Sequence, residues 1–461
     1  MAAAPTKNWV IVLCDGTWCG SQTNTKSNVN FLARMVGVDL ERGITEYHSS
    51  RDDVHAKYFD GVGLGGDFVK YLWDGALATH TKEECTKVYN FIVQNSSWNE
   101  QVSTEVWMFG ISRGAYIVRS VAGLINNCGI IREKNNETLI NLAYDVYQNP
   151  HPVHHPSSPE MVGFRAKASH PVQTPIKFMG LFDTVGSLGV PELNYNTGTG
   201  FHWPKFYDNC VSTVVEKIYH AVSIHDRFWG FQPCLASRAP RLPNNPASPN
   251  LEIRQKWFPG CHYDLARQEF QFFREGGSLW ERILFAALNI FSKTVSPNDK
   301  LADLALIWIL RGIETEGGGT IIQRDLDGNA RRIEEVISQT KNRLLGSSPT
   351  GTGDMYHDML SYLPGGRVLS MPLRWFKKIN KTTYAILFNP VDRMIPDPGI
   401  NATNAAVWNE VYDYTEPDSD LNGARIQEIA GVNTQRYPSR TFQNYRLTVA
   451  PNTTPPGTRQ S

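Results

Sequence analysis

Residues 110 to 114 read Gly110-Ile111-Ser112-Arg113-Gly114, directly after the apolar run Val106 to Phe109 and directly before a stretch apolar at Ala115, Val118, Ala122 and Ile125. A serine flanked two residues away on each side by glycine, at a strand-to-helix turn, has its hydroxyl exposed at the sheet edge, because side chains at the glycine positions would collide with neighbouring backbone. Such a hydroxyl becomes a nucleophile when a histidine takes its proton and a carboxylate orients the histidine, in the chain order serine, acid, histidine. Asp183 closes the apolar run Ile176 to Phe182, and His262 follows the run Arg254 to Phe258 and a turn. Both therefore fall at a sheet edge in the required order. Asp226 and Asp264 are the alternative acids, and His220 and His225 the alternative bases; the Ser223 to Phe228 segment ranks lower because no strand is read in front of it. Acyl chemistry also needs two backbone N–H groups where negative charge develops on the substrate oxygen. Arg113, next after the serine, supplies one, and Gly16 or Thr17 in the Cys14 to Trp18 loop the other.

Other residue sets with chemical potential are weaker. Gly61, Gly63 and Gly66 satisfy a dinucleotide-binding spacing, but the acidic residues at the required distance, Glu83 and Glu84, lie inside the helical stretch Lys82 to Val93 rather than at a strand end. A dinucleotide-binding oxidoreductase is thus kept only as a minor alternative. His151, His154 and His155 are interleaved with prolines and adjoin no acidic or thiolate ligand, which reads as a surface loop. The seven cysteines (Cys14, Cys19, Cys85, Cys128, Cys210, Cys234 and Cys261) nowhere form a CxxC pair, so neither a disulfide framework nor a thiolate metal site is expected. No metal and no organic cofactor is called for.

The elements that must position these residues follow from the apolar pattern. From residue 9 to about 315, short apolar runs alternate with helical periodicity, the signature of an α/β fold with a mostly parallel sheet covered by helices. Trp9 to Cys14, Ala56 to Phe59, Val106 to Phe109, Ile176 to Phe182 and Arg254 to Phe258 are the expected strands. Two insertions, about 187–250 with a helix near Val211 to Val222 and about 264–297 rich in Phe, Leu and Trp, stand where lids belong. Residues 317–319 read as a linker and 325–329 as a turn. Residues 316–450 form a C-terminal extension of unassigned role, with strand-like runs Tyr384 to Phe388 and Arg446 to Val449, and 451–461 read as a disordered tail.

Forty-five Lys plus Arg balance forty-five Asp plus Glu over 461 residues, for a formal net charge of +0. No overall field draws the chain to phosphate backbones, so nucleic acid is not an expected partner. The first apolar run, at Trp9, has only Lys7 before it and no small-residue cleavage site after it, and the longest apolar stretches fall short of a bilayer span; a cytoplasmic location is expected. Oligomeric state has no signal in the sequence.

Several ordered blocks extend this reading. LCDGTW at Leu13 to Trp18, NVNFLA from Asn28, YFDGVGLGGD at Tyr58 to Asp67, FGISRGAY at Phe109 to Tyr116, GLFDTVGSLG at Gly180 to Gly189, HAVSIHDRFWGFQP at His220 to Pro233 and KWFPGCHYDL at Lys256 to Leu265 together resemble the α/β-hydrolase family that contains the catalytic domain of type VI secretion phospholipase effectors. The resemblance covers about residues 9 to 315. It implies a catalytic domain at 1–315 with an α/β-hydrolase-like fold, a Ser112, Asp183, His262 triad, and hydrolysis of acyl esters, lipid or phospholipid, through an acyl-enzyme. Relatives follow the histidine with a glycine-rich HxDVGGGY; here HYDLARQEF lacks those glycines, and about 30 residues separate it from LADLALIWIL. That inserted stretch includes the apolar run Ser278 to Phe291, read as a covering helix or as a peripheral membrane contact. The contrasting reading is a non-catalytic scaffold or binding protein that keeps the fold.

Overall fold

The computed structural model describes residues 5–16, 26–49, 53–61, 77–185, 192–194, 200–202, 210–211, 213–227, 231–238, 251–271, 294–346, 348–351, 392–396 and 407–449. Eight strands form the central sheet: β1 (Thr6–Cys14), β2 (Glu46–Ser49), β3 (Val54–Phe59), β4 (Val102–Ile111), β5 (Ile176–Phe182), β6 (Val215–Ser223), β7 (Glu252–Phe258) and β8 (Val407–Val411), in spatial order β8-β7-β6-β5-β4-β1-β3-β2. Only β2 runs antiparallel to its neighbour. The parallel pairing is what the alternation of apolar runs and helices requires, since each return crossover lays a helix on a sheet face. Both faces are covered, so the strands are apolar at consecutive rather than alternate positions. In β1, Val10 and Val12 enter the core beneath α2 (Leu77–Asn95) and α3 (Arg113–Cys128). Ile11 and Leu13 enter the opposite core, shared with α1 (Asn28–Val36) and α7 (Asp299–Thr315). All four are fully buried.

The register brings the carboxyl ends of the strands to one edge. Cys14 pairs with Phe59 on one side and Gly110 on the other, Ile111 with Phe182, and Phe182 with Ala221. Residues 15–16, 112, 183 and 223–226 therefore leave the sheet side by side. α6 (His262–Ala266) starts four residues beyond β7 at the same edge.

Two expected elements change type. The helix expected near Val211 to Val222 is strand β6, buried at Val215, Ile218, Tyr219, His220, Ala221 and Val222 and paired on both sides. A central position, with neighbours on both edges, overrides a local pattern that also fits a helix turn. The strand-like run at Arg446 to Val449 is the end of a helix, Thr441–Val449. Tyr384 to Phe388 lies outside the described residues. Beyond residue 316 the chain is not an appendage: α8 (Ile333–Gly346) packs on α7, β8 extends the sheet from β7, and Leu421, Ile426, Ala430, Val432 and Tyr437 belong to the same buried cluster as Leu301 and Ile309. The expected turn at 325–329 is present, with Asp325 accepting the backbone N–H groups of Asp327 and Asn329.

Candidate active site

Ser112 occupies the turn between β4 and α3 with φ 54° and ψ −118°, a conformation that non-glycine residues hold only when the surroundings impose it. Its N–H donates to the Phe182 carbonyl at 2.9 Å, tying the turn to β5. The two glycines are needed for the reason the spacing suggested. A Cβ at Gly110 would lie 2.6 Å from Ala115 N and Cα, and one at Gly114 would lie 2.2 Å from the Cys14 carbonyl oxygen. α3 can thus press against the end of β1 only through Gly114.

The three residues expected to act together are in hydrogen-bonded sequence. His262 Nε2 is 2.9 Å from Ser112 Oγ, and His262 Nδ1 is 2.7 Å from Asp183 Oδ2. All three are buried. Burial by itself raises the Asp183 carboxyl, but the Arg393 guanidinium beside it and the hydrogen bond from His262 hold it well below the usual carboxylate range. An ionised Asp183 accepts only, so Nδ1 carries the imidazole proton and Nε2 is left to accept from the serine hydroxyl. Ser223 N–H donates to Asp183 Oδ1 at 2.9 Å, and Ser223 Oγ lies 3.3 Å from Oδ2.

The alternative acids and bases lie around the three and bond to backbone groups beside them. Contrary to the sequence reading, the segment after Ser223 does follow a strand, β6, so it reaches the same edge. Asp226 Oδ2 accepts the His262 backbone N–H at 2.9 Å. Asp264 accepts the N–H groups of Cys261 at 2.9 Å and Asn298 at 2.7 Å. Burial raises both carboxyls. His220 Nε2 accepts the Thr184 N–H at 3.1 Å, and His225 Nδ1 accepts the Gly260 N–H at 2.9 Å. Burial pushes both imidazoles down to about 3, so they are fixed neutral acceptors under the loops that carry Asp183 and His262. Phe231 stacks on the His262 ring with centroids 4.4 Å apart.

The oxyanion donors are less complete. Arg113 opens α3 directly after Ser112. Gly16 lies against the nucleophile, since a Cβ there would be 2.9 Å from Ile111 Cγ2 and 3.3 Å from Ser112 Cβ. Its N–H, however, donates to Asp15 Oδ1 at 2.7 Å. Asp15, held by Ser27 Oγ at 2.6 Å and Tyr58 Oη at 2.5 Å, engages the group read as an oxyanion donor. What Gly16 provides is close approach. Thr17 lies outside the described residues, as do the glycine-rich 62–66 and the apolar run 278–291.

Among the described residues no cluster of His, Cys, Asp and Glu could hold a metal ion, and His151, His154 and His155 lie on a surface turn around the short helix Pro152–His154. No helix of the described residues is long and apolar enough to cross a membrane. Sequence reasoning missed Ser223, Phe231 and above all Arg393, which sits in irregular chain between Asp392 and Pro396 with no period or motif to mark it.

The family model described as the catalytic domain of Tle1-like type VI secretion phospholipase effectors matches residues 8–312. An uncharacterized Saccharomyces cerevisiae protein, YEL023C, is 28% identical over 143 residues, 30% of this chain and 19% of that protein, so the matched part spans about a fifth of the relative. Among solved structures, a Tle1 effector bound to the VgrG spike of a type 6 secretion system aligns with TM-score 0.37 and 14% identity, over 79% of this chain and 84% of the other. An uncharacterized protein from Pseudomonas aeruginosa aligns with TM-score 0.31 and 13% identity, over 74% and 54%. At these scores neither alignment adds to the family match.

Proposed function

The chain belongs to the family of Tle1-like type VI secretion phospholipase effector catalytic domains, and from that premise we propose that it is a serine hydrolase that cleaves acyl esters of lipids or phospholipids. The observation that carries this reading is the unbroken chain from Ser112 Oγ to His262 Nε2 at 2.9 Å and from His262 Nδ1 to Asp183 Oδ2 at 2.7 Å, hung on a strained turn.

In this reading Ser112 Oγ attacks the ester carbonyl while its proton passes to His262 Nε2. The tetrahedral oxyanion sits at the N-terminus of α3, where the Arg113 N–H and the helix dipole favour negative charge. The imidazolium then returns the proton to the departing alcohol oxygen, leaving an acyl-Ser112 ester. Water enters, loses its proton to Nε2, attacks the acyl carbon, and Ser112 leaves with that proton. Asp183 stays ionised throughout and keeps Nδ1 protonated. Family membership supports a lipid acyl group as the substrate.

The test is direct. A fluorophosphonate should label wild-type protein at Ser112, and short p-nitrophenyl esters and phospholipid vesicles should both be hydrolysed. Ser112→Ala should lose several powers of ten in turnover, the scale for a triad member, and should not label. Turnover retained in Ser112→Ala would remove the nucleophile assignment. Wild-type protein that neither labels nor hydrolyses any ester would favour a binding protein on the same fold.

A further inference from the structure

Asp183 is held by more than the orientation of an imidazole requires. Arg393 lies beyond the matched residues 8–312, and its side chain is as fully buried as the carboxylate it meets. Its Nη1 donates to Asp183 Oδ1 at 2.6 Å and its Nη2 to Oδ2 at 2.9 Å, a two-pronged clamp. Nη1 also donates to the Ser223 carbonyl at 2.9 Å and lies 2.6 Å from Ser223 Oγ, while Nη2 donates to the carbonyl of Phe231, the residue stacked on His262. The adjacent Asp392 is paired with Arg227 at 2.8 Å, which anchors the segment beside the acid loop.

We propose that Arg393 is a positioning residue of the catalytic site: it clamps both oxygens of Asp183 and balances their charge, so that His262 is oriented by an ion pair rather than by a lone carboxylate. The inference rests on the triad reading above. A lone buried anion would orient the ring equally well, but would also pull a proton onto it and hold it there. A protonated imidazole cannot accept from Ser112. The guanidinium, on the far side of the same carboxylate, cancels part of that pull and keeps the base available at lower pH. Among the described residues, the other charged or titratable groups around the pair include Asp226, Asp264, Cys261 and Tyr263 on the His262 side, His220 and His225 beneath the loops, and Arg119, whose charge reaches His220. The two histidines are neutral acceptors, and burial raises the two carboxyls and the thiol. Among the described residues, Arg393 is thus the cation that directly touches the acid.

Arg393→Met and Arg393→Lys separate charge from fit. Two readouts are needed: the pH profile of kcat/KM on a short p-nitrophenyl ester, and the titration of the His262 ring followed by NMR of histidine-labelled protein carrying Ser112→Ala, which needs no turnover. In Arg393→Met, the acid limb and the ring titration are expected to move together to higher pH by about one to two units, the usual effect of one nearby charge. Arg393→Lys should keep both near their wild-type positions while kcat falls about tenfold or more at little-changed KM, because one ammonium cannot bridge two oxygens as the fork does. A folded Arg393→Met with neither midpoint moved overturns the proposal. If Arg393→Met does not fold, the lysine variant decides: reduced kcat at constant KM supports the clamp, and wild-type kcat overturns it. A ring titration that moves in a protein hydrolysing no ester would sink the hydrolase reading, and with it the catalytic role of Arg393, while upholding the charge balance between Arg393 and Asp183.

Discussion

At the scale of single residues, the site is built from conformations and charges that are costly alone. Ser112 at φ 54° holds backbone strain that glycine would not feel, and strain of this kind is worth about 1–3 kcal/mol. Ser112→Gly is therefore expected to be more stable than Ser112→Ala by about 1 kcal/mol in urea denaturation, with neither variant hydrolysing ester; equal midpoints would mean that the turn is not strained. The acid carries the opposite lesson. Asp183 and Arg393 are both fully buried, so Asp183→Asn leaves an unpaired cation in the interior at a cost of about 3–5 kcal/mol. The double variant Asp183→Asn with Arg393→Met should recover most of that stability and none of the activity. A double variant no more stable than Asp183→Asn alone would show that the pair is not the reason for the loss.

At the scale of elements, the decisive contact is α3 against the end of β1. In Gly114→Ala the new methyl group would meet the Cys14 and Asp15 carbonyl oxygens at 2.2 and 2.5 Å, backbone that cannot rotate away. A helix displaced by that contact carries Ser112 with it, so kcat/KM should fall at least a hundredfold and stability by about 1–3 kcal/mol. Gly163→Ala is the control: it sits in the helix Pro159–Ala168 with open space around it, and should be neutral or stabilising by about 0.5–1 kcal/mol. This junction was legible in the sequence because Gly110, Ser112 and Gly114 are close in the chain and each obeys a local steric rule. Asp183 and His262 were legible through strand ends and chain order. β6 was not, because Val215 to Ser223 also fits a helix turn and only its neighbours β5 and β7 decide the matter. Arg393 was not, because its partner stands 210 residues away and nothing in the irregular residues 392–396 points there. The Gly16 N–H bond to Asp15 was not legible for a related reason: chain order says nothing about which way an amide points.

At the scale of the molecule, buried neutral histidines and the C-terminal residues set the conditions of folding. His220 and His225 take up protons near pH 6.5 when unfolded but only near pH 3 when folded. Between those values the unfolded chain binds more protons, so stability rises with pH through the window and is fully present above it. Going from pH 7 to pH 5 should cost about 2 kcal/mol for each histidine, partly opposed by Asp226 and Asp264, whose raised carboxyls act with the other sign. The difference between thermal melts at the two pH values should shrink by about half in His225→Gln, His220 keeping its share; an unchanged difference would relieve His225 of the role. A chain ending at Gly346 would lack β8, Arg393 and the apolar residues Leu421, Ile426, Val432 and Tyr437. It is expected to lose its cooperative melt and all fluorophosphonate labelling, although it contains the whole of the matched residues 8–312. A sharp melt with labelling would show those residues to be dispensable.

The clamp on Asp183 has a consequence in time. During synthesis His262 leaves the ribosome about 130 residues ahead of Arg393, an interval of roughly 7 to 26 s at ordinary elongation rates. Throughout it the nascent chain has Ser112, His262 and Asp183, the proposed nucleophile, base and acid, but not Arg393, the proposed clamp. Chains stalled before residue 393, which also lack β8 and the apolar residues Leu421, Ile426, Val432 and Tyr437, should stay silent to a fluorophosphonate, and chains released at full length should react. Stalled chains that already react would show that the site matures without its last partner. If the activity is lipid cleavage, switching it on only in about the last sixth of translation would spare the membranes around the ribosome from a half-made enzyme.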